Sequence, residues 1–187
     1  MDNWQTSMRK SAAIMQQACP IFSKMLNDEN LKIMQIEKID HEVCKHLDVF
    51  CGMDYFTVRS NGLTHGVAWR CQWVDAGKEF NSFTIRKTRE SGVPTEYEKR
   101  KKAIQIKALY PHYTAHAFVD KRTNEIISLG LSTTEEVFRY LETEPNIKIK
   151  HTHQDQDGQA DFWVIYWADM QMCGYKILTY KQNTGIN

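Results

Sequence analysis

The chain has 187 residues, 42% of them apolar and 25% charged, with a formal net charge of +1. That length suits one domain with a sizeable core, and the composition is that of ordinary globular proteins. A nearly balanced charge excludes nucleic-acid binding by bulk attraction, so any phosphate contact must come from a local basic patch.

In chain order, residues 1–30 read as a helical segment ahead of an α+β body at 31–187, the whole forming one domain. Met8, Ala12, Met15, Ala18, Phe22 and Met25 recur at helical spacing, the stripe of an amphipathic helix. The stripe has two outlets, the chain's own sheet or a second copy in a homodimer, and Pro20 is expected to kink or divide the helix. Leu31 to Ile39 is a short apolar strand or helix entry, and Asp40 can cap a short helix over HEVCKHL. Three strands in a meander are expected next. The first ends near Arg59, before an Asn61-Gly62 turn whose residues tolerate positive φ. The second is Gly66 to Trp73, and after a looser turn at Asp75 to Lys78 the third is Phe80 to Arg86. RKTRESGVP is a loop. Thr95 caps a helix from Glu96 to about Ala108, long enough to cross over to another strand of the same sheet. Strands are expected at Tyr113 to Val119 and Glu125 to Leu131. Ser132 or Thr133 caps TTEEVFRYLET, with Glu135 and Glu136 favourably placed in its first turn. Asn146 to Lys150 is a strand, HTHQDQDGQAD a polar loop, DFWVIYWADM a buried strand and YKILTYK a last strand. This order gives an α+β (mixed α/β) fold with a central mixed sheet of about five or more strands flanked by helices.

The cysteines, Cys19, Cys44, Cys51, Cys71 and Cys173, are odd in number and lack CxxC spacing. They read as reduced thiols of a cytoplasmic protein rather than a disulfide framework or a zinc site. No apolar run reaches about 18 residues, so no membrane span is expected, and the N-terminus lacks a leader pattern.

The chemistry-bearing residues gather around Asp54. A carboxylate among Phe50, Met53, Tyr55, Phe56 and Val58 is costly to bury alone. It either faces solvent, pairs with Arg70, or is held for chemistry. Arg70 and Gln72 share one strand face. Asp54 facing the Gln72 amide oxygen can hold a divalent cation with hard oxygen ligands, and Arg70 can then grip a phosphate or stabilise its transition-state charge. Asp48 either shares Asp54's face on an unbroken strand or ends the preceding helix. Arg86, Lys87, Arg89, Lys99 and Arg100 form a basic run suited to backbone phosphates, diluted by Glu90, Glu96 and Glu98. His112 and His116 are four apart on a strand, too far to share a metal.

The order of a helix, a GMDYF strand, a VAWRCQW strand, an SFTIR strand, a charged helix and a further strand resembles the core of the PD-(D/E)XK nuclease superfamily, which includes restriction enzymes and Holliday-junction resolvases. The resemblance covers roughly Ile36 to Thr133. It implies a restriction-endonuclease-like scaffold, with Asp54 in the Asp place, Gln72 as the counterpart of the second acidic ligand and Glu42 as the acid from the helix. The superfamily's Glu-x-Lys is absent, since the strand reads Arg70-Cys71-Gln72-Trp73; Arg70 is the cation that remains. On this basis Asp54, Gln72 and Arg70 are candidate catalytic residues. Asp54, Glu42 and Asp48 are candidate ligands for Mg²⁺ or Mn²⁺, and DNA is the expected partner. The implied function is a metal-dependent nuclease, or a protein derived from one, acting on the DNA phosphodiester backbone. The alternative is a non-catalytic phage or mobile-element accessory protein that binds nucleic acid or a host protein on the same scaffold.

Overall fold

The computed structural model describes residues 3–36, 39, 41–75, 80–154 and 158–182. Its elements run α1 (Asn3–Met25), β1 (Lys32–Gln35), α2 (Glu42–Cys51), β2 (Tyr55–Val58), β3 (Thr64–Val74), β4 (Ser82–Arg86), α3 (Glu96–Gln105), β5 (Tyr113–Asp120), β6 (Ile126–Thr133), α4 (Thr134–Thr143), β7 (Lys148–Gln154), β8 (Gly158–Tyr166), α5 (Trp167–Met172) and β9 (Leu178–Lys181). Six strands form a mixed sheet in the order β1-β2-β3-β5-β6-β9, and β4-β8-β7 form a second, three-stranded sheet. Every pairing is antiparallel except β3 with β5. A parallel neighbour needs a long crossover, which β4 and α3 supply together. The α+β expectation with a mixed sheet holds.

The helical stripe is spent on the chain's own sheet. Ile14, Met15, Ala18 and Phe22 are buried in one core with Tyr55, Val67, Ala115, Ala117, Val119, Leu129 and Leu131. Of the two outlets open to the stripe, Met15, Ala18 and Phe22 take the chain's own sheet. Nor does Pro20 divide α1, which runs through it as one helix. Pro20 and Gln16 are both exposed, so the carbonyl that loses its partner lies on the watery side, where the loss is cheapest.

The meander is β1-β2-β3 rather than the one expected from sequence. β4 leaves to pair with β8, from Ser82↔Tyr166 to Arg86↔Phe162. There Phe83 and Ile85 enter a second core with Phe118, Val137, Phe138, Ile165 and Trp167. HEVCKHL lengthens into α2, which ends at Cys51 because Gly52 adopts the left-handed φ of 61° as its C-cap. Asp48 is thus in the last turns of a helix, and Asp54 lies in the connector before β2. His41 supplies the N-cap; Asp40 lies outside the described residues, as do 76–79 of the looser turn. The expected polar loop from His151 is instead largely the β7–β8 hairpin, with 155–157 outside the described residues.

DFWVIYWADM divides between β8 and α5. Trp167 turns onto the large sheet where Gly130 offers no Cβ; any side chain there would overlap the indole. Cys71 is a free thiol, and burial pushes its pKa up to about 12, as suits a small core hydrophobe. Among the described residues, no helix is long and apolar enough to cross a membrane.

Candidate functional site

Alternation along β3 and β5 sends consecutive residues to opposite faces of the sheet. Val67, Trp69, Ala115 and Ala117 join the α1 core. Ala68, Arg70, Thr114 and His116 line a cleft of about 360 Å³ on the other side. Thr84 and Arg86 of β4 face it from the second sheet. Asp48 and Gly52 close it at the end of α2, and Glu96, Lys99 and Arg100 close it along α3.

Asp54 sits at the mouth of the β2–β3 pair. The pairing of Tyr55 with Val67 places it across from Ala68. Its own N–H donates to the Val67 carbonyl at 2.9 Å, and its carboxylate accepts from the Trp69 N–H at 2.6 Å. Burial raises its pKa to about 7. The Trp69 N–H and the charge of Arg100 oppose that rise, while the charges of Asp48 and Glu96 add to it. Near neutral pH the group is divided between acid and carboxylate. The charge that reaches it is that of Arg100, not Arg70.

Arg100 reaches the cleft because α3 starts at a fixed place. Thr95 and Glu98 form a reciprocal capping box, so Glu96, Arg100 and Ala103 follow on the inward side at helical spacing. Arg100 is 6% exposed, and its Nη2 donates to the Gly52 carbonyl at 3.0 Å. A Cβ on Gly52 would come within 3.3 Å of this guanidinium, so Gly52 both ends α2 and makes room for Arg100. Lys99 ties the same two helices, donating from Nζ to the Val49 carbonyl at 2.6 Å. Burial raises the pKa of Asp48, and Lys99's charge opposes the shift.

Arg70 and Arg86 come from different sheets and meet over one ring. Their guanidinium carbons lie 4.8 and 5.3 Å from the centroid of Phe162 on β8, within cation–π range. Burial lowers the pKa of Arg70 and of Arg100, yet both stay cations at physiological pH. For each the nearby carboxylates act through charge rather than through a hydrogen bond. His116 is the register partner of Arg70 and stacks on Phe118 with centroids 4.4 Å apart. It is 1% exposed. Burial first, then Arg70's charge, hold its pKa well below the usual value against a small opposing effect of the Ser82 backbone. The imidazole is neutral at pH 7.

Of the residues singled out from sequence, Asp54, Arg70, Asp48, Arg86, Lys99 and Arg100 converge on this cleft. Gln72 lies further along β3 opposite Phe118 and does not line it, so the expected Asp54–Gln72 facing pair is not formed. Glu42 is exposed in the first turn of α2, and the expected set Asp54, Glu42 and Asp48 is not gathered. Among the described residues no group of three or more His, Cys, Asp or Glu could hold a metal ion. Lys87 stands 5.6 Å over the Trp163 ring, and neither it nor Arg89 lines the cleft. Glu96, Thr84 and His116 are the cleft residues that sequence reasoning missed. The spacing Glu96–Arg100–Ala103 was the available signal for the first; His116 stood out only as half of a pair too far apart to share a metal, and nothing local marked Thr84.

Polar atoms in the cleft wall lack partners. Arg100 Nε and Thr84 Oγ1 are buried without a hydrogen bond, and the buried His116 ring has only the Ser82 backbone as a polar neighbour. Each such atom costs about 1–3 kcal/mol, and native proteins leave few of them unexplained. No protein-family model matches the chain, and no curated protein does.

Proposed function

We propose that this chain is a nuclease-derived protein that grips the phosphate backbone of a nucleic acid in its basic cleft without a metal-dependent cleavage centre. The observation that carries the reading is the β2–β3 register. The residue facing Asp54 is Ala68, and the next residue on that face is Arg70. In the superfamily motif that this sequence resembles, an acid and then a lysine follow the Asp on the next strand. Here those places hold a methyl group and a guanidinium.

The donor set argues the same way. A divalent cation needs several ionised oxygens. Asp54 is divided between acid and carboxylate near neutrality, Ala68 contributes no ligand, Arg100's charge acts on Asp54, and among the described residues Asp48 and Glu96 do not join Asp54 in a metal-holding group. The residues present do not fit Mg²⁺ or Mn²⁺, and they do fit a phosphate, which accepts from forked guanidinium donors. Scaffold order supports the nuclease-derived origin. Helix α2, strands β2 and β3, charged helix α3 and strand β5 follow the order of the resemblance, while SFTIR, as β4, leaves that sheet to pair with β8.

The test is a gel shift with a short DNA at low and moderate salt, beside a cleavage assay with and without Mg²⁺. The expected result is binding that weakens steeply with salt and no Mg²⁺-dependent cleavage. Cleavage that requires Mg²⁺ and disappears in Asp54→Ala would replace this reading with the metal-dependent nuclease.

A further inference from the structure

Resting on that reading, we propose that the cleft recognises a phosphomonoester at the end of a nucleic-acid strand rather than an internal phosphodiester.

Size is the first reason. A cleft of about 360 Å³ is at the small end of ligand pockets, which span roughly 300–1,000 Å³. It is floored by β3 and β5 and walled by β4, α2 and α3, so it admits one nucleotide-sized unit and not a duplex.

Charge is the second. A phosphomonoester carries about −1.5 to −2 near neutral pH, while a bridging diester carries a single charge. Arg70, Arg86, Lys99 and Arg100 line the cleft against Asp48, Asp54 and Glu96, and the raised pKa of Asp54 thins the acidic side further. Phe162 packs against both Arg70 and Arg86, which come from the two sheets. Two guanidinium forks lining one small cleft suit a group with several exposed oxygens.

The third reason is the set of polar atoms left without partners. Thr84 lies two residues from Arg86 on β4 and shares its face; its Oγ1 is buried and unbonded, as is Arg100 Nε. His116 is beside Arg70 in register, but its one N–H donor as a neutral ring is turned to the Ser82 backbone. A terminal phosphate presents three non-bridging oxygens and an internal one presents two. The unfilled Thr84 and Arg100 donors, beside the Arg70 and Arg86 guanidinium groups, therefore match the end better than the chain interior.

The experiment is fluorescence anisotropy with one short single-stranded oligonucleotide carrying a 5′-phosphate, a 3′-phosphate, or hydroxyls at both ends. Inorganic phosphate and a nucleoside monophosphate serve as competitors. One phosphorylated form is expected to bind at least about tenfold tighter than the hydroxyl form. Arg86→Gln and Arg70→Gln should bring it down to the hydroxyl level, and Thr84→Val, the mildest change in shape, should cost several-fold. Thermal melts of each variant separate lost recognition from lost folding.

Equal affinity for phosphorylated and hydroxyl ends at low salt would overturn the terminal-phosphate assignment and leave backbone binding intact. Binding to none of the oligonucleotides would overturn the reading beneath it. If inorganic phosphate or the monophosphate then still raised the melting temperature, the site would belong to a free small phosphate, and the strand-end assignment would be wrong.

Discussion

The two faces of the large sheet are made from the same strands, one residue apart. Toward α1, β5 presents Ala115, Ala117 and Val119, and β3 presents Val67 and Trp69, all packed in one apolar core. Toward the cleft the same strands present Thr114, His116 and Arg70. The first face removes apolar area from water, worth about 25 cal/mol for each Å². The second keeps charged and polar groups out of water with part of their hydrogen bonding unmet, which lowers stability. The comparison separates the face that stabilises the fold from the face that costs it stability, so substitutions on the two faces should move stability in opposite directions.

The largest effect is expected on the α1 face. Phe22→Ala leaves a cavity under α1 and should cost about 3–5 kcal/mol, read as a fall in the urea midpoint. A loss below about 1 kcal/mol would break the view of this face as the main core.

On the cleft face the signs reverse. The folded-state pKa of Asp54 is raised to about 7 from an ordinary 3.8, so between those values the folded state binds more protons than the unfolded. Its contribution is therefore fully present below about pH 4 and is lost as pH rises through about 7. Asp54→Asn keeps an acceptor for the Trp69 N–H and should flatten this slope, with a gain on the order of 4 kcal/mol at about pH 8 that falls to less than half of that at about pH 5. An unchanged pH profile in the variant would show that the carboxylate is not held in a low-dielectric site.

His116→Leu should stabilise by about 1–2 kcal/mol, since an apolar side chain removes an unmet ring nitrogen without a large change in volume. The wild-type imidazole has a depressed pKa, so it loses stability as pH falls below about 6.5, where the unfolded chain takes up its proton. The variant should lack that acid-side loss, and a variant less stable than wild type at pH 7 would show that His116 has bonding partners beyond the Ser82 backbone. The smallest effect is that of Gly52→Ala, about 1 kcal/mol of destabilisation from the left-handed φ, with weaker oligonucleotide binding because the new methyl presses on Arg100.

Much of this was legible locally. The α1 stripe, the Asn61-Gly62 turn and the Thr95 cap announce themselves within a few residues, because helix period, turn chemistry and capping are short-range. Asp54 and Arg70 also announced themselves, as polar residues inside apolar runs. What the sequence hid was set at long range. SFTIR finds its partner some 80 residues later in β8, and nothing near Phe83 says so. Gln72 and Arg70 look alike by alternation, and only the β2–β3 register decides which stands near Asp54. The glycine at 52 was the overlooked clue that put Asp48 on a helix, since a left-handed C-cap follows α2 there.

The parallel pairing of β3 with β5 also governs when the site comes into being. Arg70 and His116 become neighbours only through that pairing, which must wait until the chain has passed through β4 and α3. The entropy of closing so long a loop is spent before the contacts reward it. The cleft floor is therefore among the last parts to assemble, and after dilution from denaturant phosphate binding should return with the slowest folding phase rather than with the early helices. A chain stalled with only local structure has the residues of the site but no site.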